Sequence, residues 1–184
     1  MISTLTRTLI LSAAIVCMIA AAFGLAAAQP AKVQIIPAPK QISPSDAAEF
    51  LIGREARIVL ADDKSVADRF AAQDFVDDVK QAAGVNLKIG GNSRGEILIG
   101  LIDLPRIQQA LKRGGLDPAV QKLTDEGYLL TVSRKQVVVA GKTPTGTFYG
   151  LQTLKQLVRG EGASALIPAE IGRASCRERV YVLV

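Results

Sequence analysis

The sequence predicts a single α+β domain: a mixed, mostly antiparallel sheet with helices packed on one face. Three observations carry that expectation. Short apolar runs bounded by glycine recur through the middle of the chain, and three segments repeat apolar residues at helical spacing. The third is Gly127–Leu157, which reads as strand, tight turn, strand and helix in immediate succession.

Taken in order, Gln29 to Pro44 carries Pro30, Pro37, Pro39 and Pro44 and is expected to be an extended lead-in. Within it, Val33-Gln-Ile-Ile36 has edge-strand character. Phe50-Leu-Ile52 and Arg57-Ile-Val-Leu-Ala61 read as strands around a turn at Gly53. A helix follows from about Ser65 to Ala83, with Asp62 and Asp63 as its expected caps and Asp68 in its first turn. Val66, Phe70, Phe75, Val76 and Val79 are read as its inward face, Asp77 and Asp78 as solvated, and Gly84 as its C-cap.

Asn86–Gly90 and Glu96–Gly100 read as two strands joined by a hairpin turn at Gly91-Asn-Ser-Arg-Gly95. Pro105 opens a shorter helix to about Lys112, with Ile107 and Leu111 four apart, and Gly114-Gly115 ends it. A further helical turn is expected after Pro118. In the next strand Leu130 and Val132 alternate with Leu129, Thr131 and Ser133, while Val137 to Val139 is a continuous buried-strand run.

The last helix has Thr143 as N-cap and Pro144 at its first position. Phe148, Leu151, Leu154, Leu157 and Val158 mark its inward face. Gly146 and Gly150 clear a stripe that lets a sheet or a neighbouring domain approach closely, at about 1 kcal/mol of helix propensity each.

Both ends stand apart from this pattern. In residues 1–28 Arg7 is the only charge, Leu9 to Leu25 is apolar or small, and Ala26-Ala27-Ala28 precedes Gln29-Pro30. That is the design of a cleaved export signal and implies a periplasmic or extracellular product. An uncleaved membrane anchor is the competing reading, since the apolar run is about 20 residues long. No lipoprotein pattern surrounds Cys17. At the other end, Glu170 to Val180 matches, residue for residue, a one-frame translation of sequencing-adapter DNA. Residues 170–184 are therefore expected to be non-native, leaving 29–169 as the domain.

Without those ends the charge balance loses Arg7, Arg173, Arg177, Arg179, Glu170 and Glu178, and the net charge falls from +5 to +3. The charges form no cluster, so nothing points to nucleic acid. Both cysteines, Cys17 and Cys176, lie in the end segments, which leaves the domain without a disulfide or a thiolate metal site. Histidine and tryptophan are absent from the whole sequence. Histidine-based zinc sites, Ser-His-Asp triads and a tryptophan sugar platform are thereby excluded from this chain. About 140 residues suffice to bury roughly two-thirds of the unfolded surface without such staples.

Few residues are arranged for chemistry. Gly141-Lys142-Thr143 lacks the glycine a phosphate loop needs five positions earlier, where Gln136 stands. Gly90-Gly91 and Gly95 lack dinucleotide-loop spacing. Asp125-Glu126 is the one mixed acidic dipeptide, and its place before Gly127 reads as turn chemistry. No cofactor, metal or catalytic residue is expected within the chain.

Pro37-Ala-Pro39-Lys-Gln-Ile42, Glu96-Ile-Leu-Ile-Gly100, Glu126-Gly-Tyr-Leu-Leu130 and Gly146-Thr-Phe-Tyr-Gly-Leu-Gln-Thr-Leu-Lys-Gln-Leu157 occur in that order. Together they resemble the non-catalytic N-terminal domain of family 20 glycoside hydrolases, the β-N-acetylhexosaminidases. The resemblance covers about Ile35 to Pro168, and Leu166-Ile-Pro-Ala169 resembles the family's linker into its barrel. It implies a (β/α)8 barrel downstream, absent from this chain, that cleaves terminal N-acetylhexosamine from glycans. In such a barrel an Asp-Glu pair serves: the glutamate protonates the glycosidic oxygen and the aspartate orients the attacking acetamido group of the substrate. Asp125-Glu126 is not that pair. The resemblance makes the barrel this domain's partner and suggests Gly146, Tyr149, Gly150 and Gln152 as docking residues. A family 84 accessory domain and a stand-alone secreted carbohydrate-binding module are the alternatives.

Overall fold

The computed structural model describes residues 42–43, 49–53, 56–91, 94–117, 123–168 and 173–175. The export segment 1–28, the run Val33–Ile36, the helical turn after Pro118 and the boundaries at 28 and 169 lie outside them. Nine strands are present: β1 (Ile42–Ser43), β2 (Phe50–Leu51), β3 (Ala56–Leu60), β4 (Lys88–Ile89), β5 (Gly95–Leu101), β6 (Tyr128–Val132), β7 (Gln136–Gly141), β8 (Leu166–Ile167) and β9 (Arg173–Ser175). The helices are α1 (Val66–Ala83), α2 (Pro105–Arg113) and α3 (Pro144–Leu157). None of the described helices is long and apolar enough to cross a membrane.

Seven strands form one sheet in the order β1-β9-β6-β7-β5-β3-β4, and β2 pairs with β8 in a separate ribbon. β4, β3, β5 and β7 run parallel, whereas β6, β9 and β1 join antiparallel. With the ribbon included, four of the seven pairings are antiparallel, so the expected mixed α+β architecture holds. β9 falls in the segment expected to be non-native. It takes the edge of β6 at Leu129 and Leu130, where backbone groups can pair with any extended segment.

The expected hairpin between β4 and β5 is not formed. Both pair parallel with β3, on opposite sides of it. β4 is only two residues long, and Gly90 N–H bonds to Ile58 O at 2.7 Å, so the chain stays beside β3 before returning to start β5. Ile97, Leu98 and Ile99 are all fully buried, which a sheet covered on both faces requires. Likewise β2 does not pair with β3 across the Gly53 turn but joins β8.

α1 and α3 lie side by side on one face, as expected, and run in the same direction. Gln152 of α3 donates to Asp74 of α1 at 2.8 Å, and one turn on Lys155 pairs with Asp78. Asp78 is thus half-buried and paired rather than solvated. The short α2 covers the other face, with Ile107 and Leu111 against Leu98, Leu129, Val138 and Ala140. The alternation of β7 divides the two cores, Val138 and Ala140 facing α2 and Val139 facing α3.

α1 is capped by Ser65, whose hydroxyl accepts from Asp68 N at 3.2 Å. Asp62 acts one step earlier than expected, accepting from Lys64 N at 3.0 Å within the preceding turn. Its buried stripe runs through Asp68, Ala71, Ala72, Phe75, Val76, Val79 and Ala83. Val66 and Phe70, expected to face inward, are instead 82% and 68% exposed. The row they begin continues through Gln73 and Asp77, which are also exposed, while Ala72 lets the neighbouring row meet the sheet.

Candidate docking surface

Of the residues singled out on α3, Gly146 and Gly150 face the domain's own sheet. A β-carbon at Gly146 would collide with the Gly127 carbonyl oxygen and come within 3.3 Å of Gly141 Cα. At Gly150 it would strike Val139 Cγ1 and lie 3.1 Å from the Tyr128 ring. Their close approach therefore serves helix-on-sheet packing. Buried hydrogen bonds lock the same contact, from Thr147 Oγ1 to Gly100 O at 3.3 Å and between Tyr128 and Thr153 hydroxyls at 2.6 Å. Tyr128→Phe removes the second bond and is expected to lower unfolding stability by about 1 kcal/mol in urea titrations at unchanged m-value.

The other two residues lie farther from the sheet. Gln152 is half-buried and engaged with Asp74. Tyr149 is half-buried beside Phe148, their ring centroids 6.1 Å apart and tilted by 59°. The helix N-terminus is fixed by Thr143, which accepts from Gly146 N at 3.4 Å and donates to the Asp125 carbonyl. Asp125 also pairs with Lys142 at 3.1 Å, and Gly127 N closes the turn on Thr124 O at 2.9 Å. The Asp125-Glu126 pair is thus part of the turn that seats α3.

Other acids are similarly structural. Glu96 takes Arg106 of α2 at 2.5 Å and Gln136 of β7 at 3.0 Å, tying β5 to both neighbours. Among the described residues no group of three or more His, Cys, Asp or Glu side chains could hold a metal ion. Asp68 is different: it is buried, and its Oδ1 has no hydrogen-bond partner. Burial pushes its carboxyl above the ordinary 3.8, the Ser65 hydrogen bond opposes this, and the Asp62 charge adds to the rise.

A raised carboxyl stabilises the fold most below the ordinary value, and that contribution is lost as pH rises through the folded-state value. Asp68→Asn should therefore raise Tm at pH 7 and gain progressively less toward pH 4. Thermal melts across that range check the sign; an equal effect at every pH contradicts it.

Sequence reasoning missed Val66 and Phe70 as surface residues. Among the described residues the exposed large apolar side chains are Leu51, Val66 and Phe70, and two of these share one row of α1. Asp74 and Asp78 pair with Gln152 and Lys155, so one turn toward the N-termini sets Phe70 level with Phe148.

Residues 32–172 match the model of glycosyl hydrolase family 20, domain 2. The chain belongs to that family. Its fold is also that of the family 20 β-N-acetylhexosaminidase from Streptomyces coelicolor A3(2), at a TM-score of 0.60 and 23% identity, covering 82% of this chain and 27% of that one. A β-hexosaminidase of Porphyromonas gingivalis is 43% identical over 51 residues, 28% of this chain and 6% of that protein. Alpha-glucuronidase A of Emericella nidulans is 27% identical over 92 residues, 50% of this chain and 11% of that protein. The family 20 chain described here thus spans a small part of each relative's length.

Proposed function

We propose that this chain is the non-catalytic N-terminal domain of an exported β-N-acetylhexosaminidase that releases terminal N-acetylhexosamine from glycans. The observation that carries the reading is a domain 2 match over residues 32–172, combined with coverage of only 27% of the Streptomyces coelicolor enzyme. The cleaving groups then belong to a (β/α)8 barrel following this domain in the parent protein. Export rests on residues 1–28, with their single charge and Ala26-Ala27-Ala28 end.

In this reading the domain acts as a rigid support. Gly146 and Gly150 set how deeply α3 sits on its sheet, and Tyr149 and Gln152 on the same helix meet the barrel. The test compares the 184-residue chain with the full-length gene product on nitrophenyl N-acetylglucosaminide. The full-length protein is expected to release nitrophenol and the 184-residue chain none. Release by the pure short chain, or no release by the long one, contradicts the proposal. Sequencing of the exported product is expected to begin at Gln29, and an intact Met1 on a membrane-bound form contradicts export.

A further inference from the structure

We infer that Val66 and Phe70 of α1, together with Phe148 and Tyr149 of α3, form the apolar centre of the surface on which the parent's catalytic domain docks. This inference rests on the proposed function and locates its docking site. The domain is layered as α2, sheet, then the α1–α3 pair, and the sheet is thereby covered on both faces. The outer side of the α1–α3 pair is where the domain leaves large apolar groups in solvent. Phe70 is 68% exposed and Val66 82%, four residues apart on one row. Phe148 and Tyr149, both half-buried, stand level with Phe70 across the helix pair.

Single exposed apolar residues need no explanation, but an aromatic cluster spanning two helices marks a contact surface. Its composition fits a protein layer: two phenylalanines and a valine offer no polar group to hold a sugar hydroxyl, and aromatic anchors are what buried interface centres use. The occupant is the catalytic domain because this chain covers only 27% of a family 20 enzyme, which leaves most of that enzyme to pack against it. The Gln152–Asp74 and Lys155–Asp78 pairs lie one and two turns away along the same seam and make a polar flank beside the apolar centre.

The experiment places Phe70→Asp and Val66→Asp, singly and together, in both the 184-residue chain and the full-length gene product. In the 184-residue chain Tm should not fall, since both sites are exposed and an aspartate in the first helical turn suits the helix dipole. In the full-length protein the single calorimetric transition should split in two. Proteolysis at the junction after Pro168 should quicken about tenfold or more for Phe70→Asp, as expected when a buried phenylalanine contact is lost.

The inference is overturned if the substitutions are silent in both proteins, or lower Tm equally in both, which would make Phe70 a core residue of this domain. It is also overturned if the 184-residue chain self-associates and Phe70→Asp abolishes this, or if it binds chitin oligosaccharides through these residues. Nitrophenol release by the full-length wild type separates the two questions. An active enzyme whose Phe70→Asp variant stays coupled retires the docking surface alone. An inactive one retires the glycosidase reading and this occupant with it.

Discussion

Gly146→Ala is expected to destabilise the domain by about 2 kcal/mol, although glycine to alanine in a helix ordinarily adds about 1 kcal/mol of stability. The sign reverses because the new methyl meets backbone: the Gly127 carbonyl oxygen in direct collision and Gly141 Cα at 3.3 Å. No rotamer change relieves that clash. α3 must lift from β6 and β7, loosening the buried Thr147 and Thr153 hydrogen bonds to Gly100 and Tyr128. The fall in Tm should be about 6–10 °C. Gly150→Ala should err in the same direction by less, because the groups it meets, Val139 Cγ1 and the Tyr128 ring, are side chains that can shift. A raised Tm for Gly146→Ala would mean that α3 does not sit this close to the sheet.

Phe75→Ala is expected to cost about 3–5 kcal/mol, a large share of the roughly 5–15 kcal/mol that holds a domain together. Phe75 is 1% exposed and stands in the buried stripe of α1 with Ala72 and Val79. Truncation leaves a cavity between α1 and the sheet that neighbouring alanines cannot fill. Phe70→Ala, five residues earlier on the same helix, should change the stability of the 184-residue chain by no more than about 0.5 kcal/mol. Urea midpoints of the two variants measure the contrast directly. Equal losses would mean that α1 is rotated from the orientation described.

These two phenylalanines also show how much of the fold could be read from the chain. Helix existence was legible where local chemistry sets it: Thr143-Pro144 at the start of α3, Gly84 after α1, and Pro105 with Gly114 around α2. Which face of α1 turns inward was harder, because Val66 and Phe70 look like core. The deciding signal was the next turn of their row, Gln73 and Asp77, together with Ala71 and Ala72 opening the adjacent one. Strand partners were harder still. Nothing local distinguishes a β4–β5 hairpin from two strands flanking β3, except that Glu96–Gly100 is apolar on both faces, the mark of a covered parallel strand.

The glycine stripe of α3 was legible as a demand for close packing, but not as to what it packs against. Only the sheet register, with Val139 opposite Leu130 and Tyr128 opposite Gly141, assigns it to the domain itself. The apolar centre at Val66 and Phe70 was invisible for a related reason. Exposure is a property of the packed molecule, and the Asp74–Gln152 and Asp78–Lys155 pairs that align the helices join residues nearly eighty positions apart.

The central claim is that this family 20 domain precedes a catalytic barrel, and reading the gene past the codon for Ala169 from an independent long clone tests it most directly. The account predicts a continuing open reading frame of several hundred codons, alternating strand and helix patterns, with an adjacent Asp-Glu pair at the end of a strand. A genuine run of codons for residues 170–184 followed by a stop would contradict it.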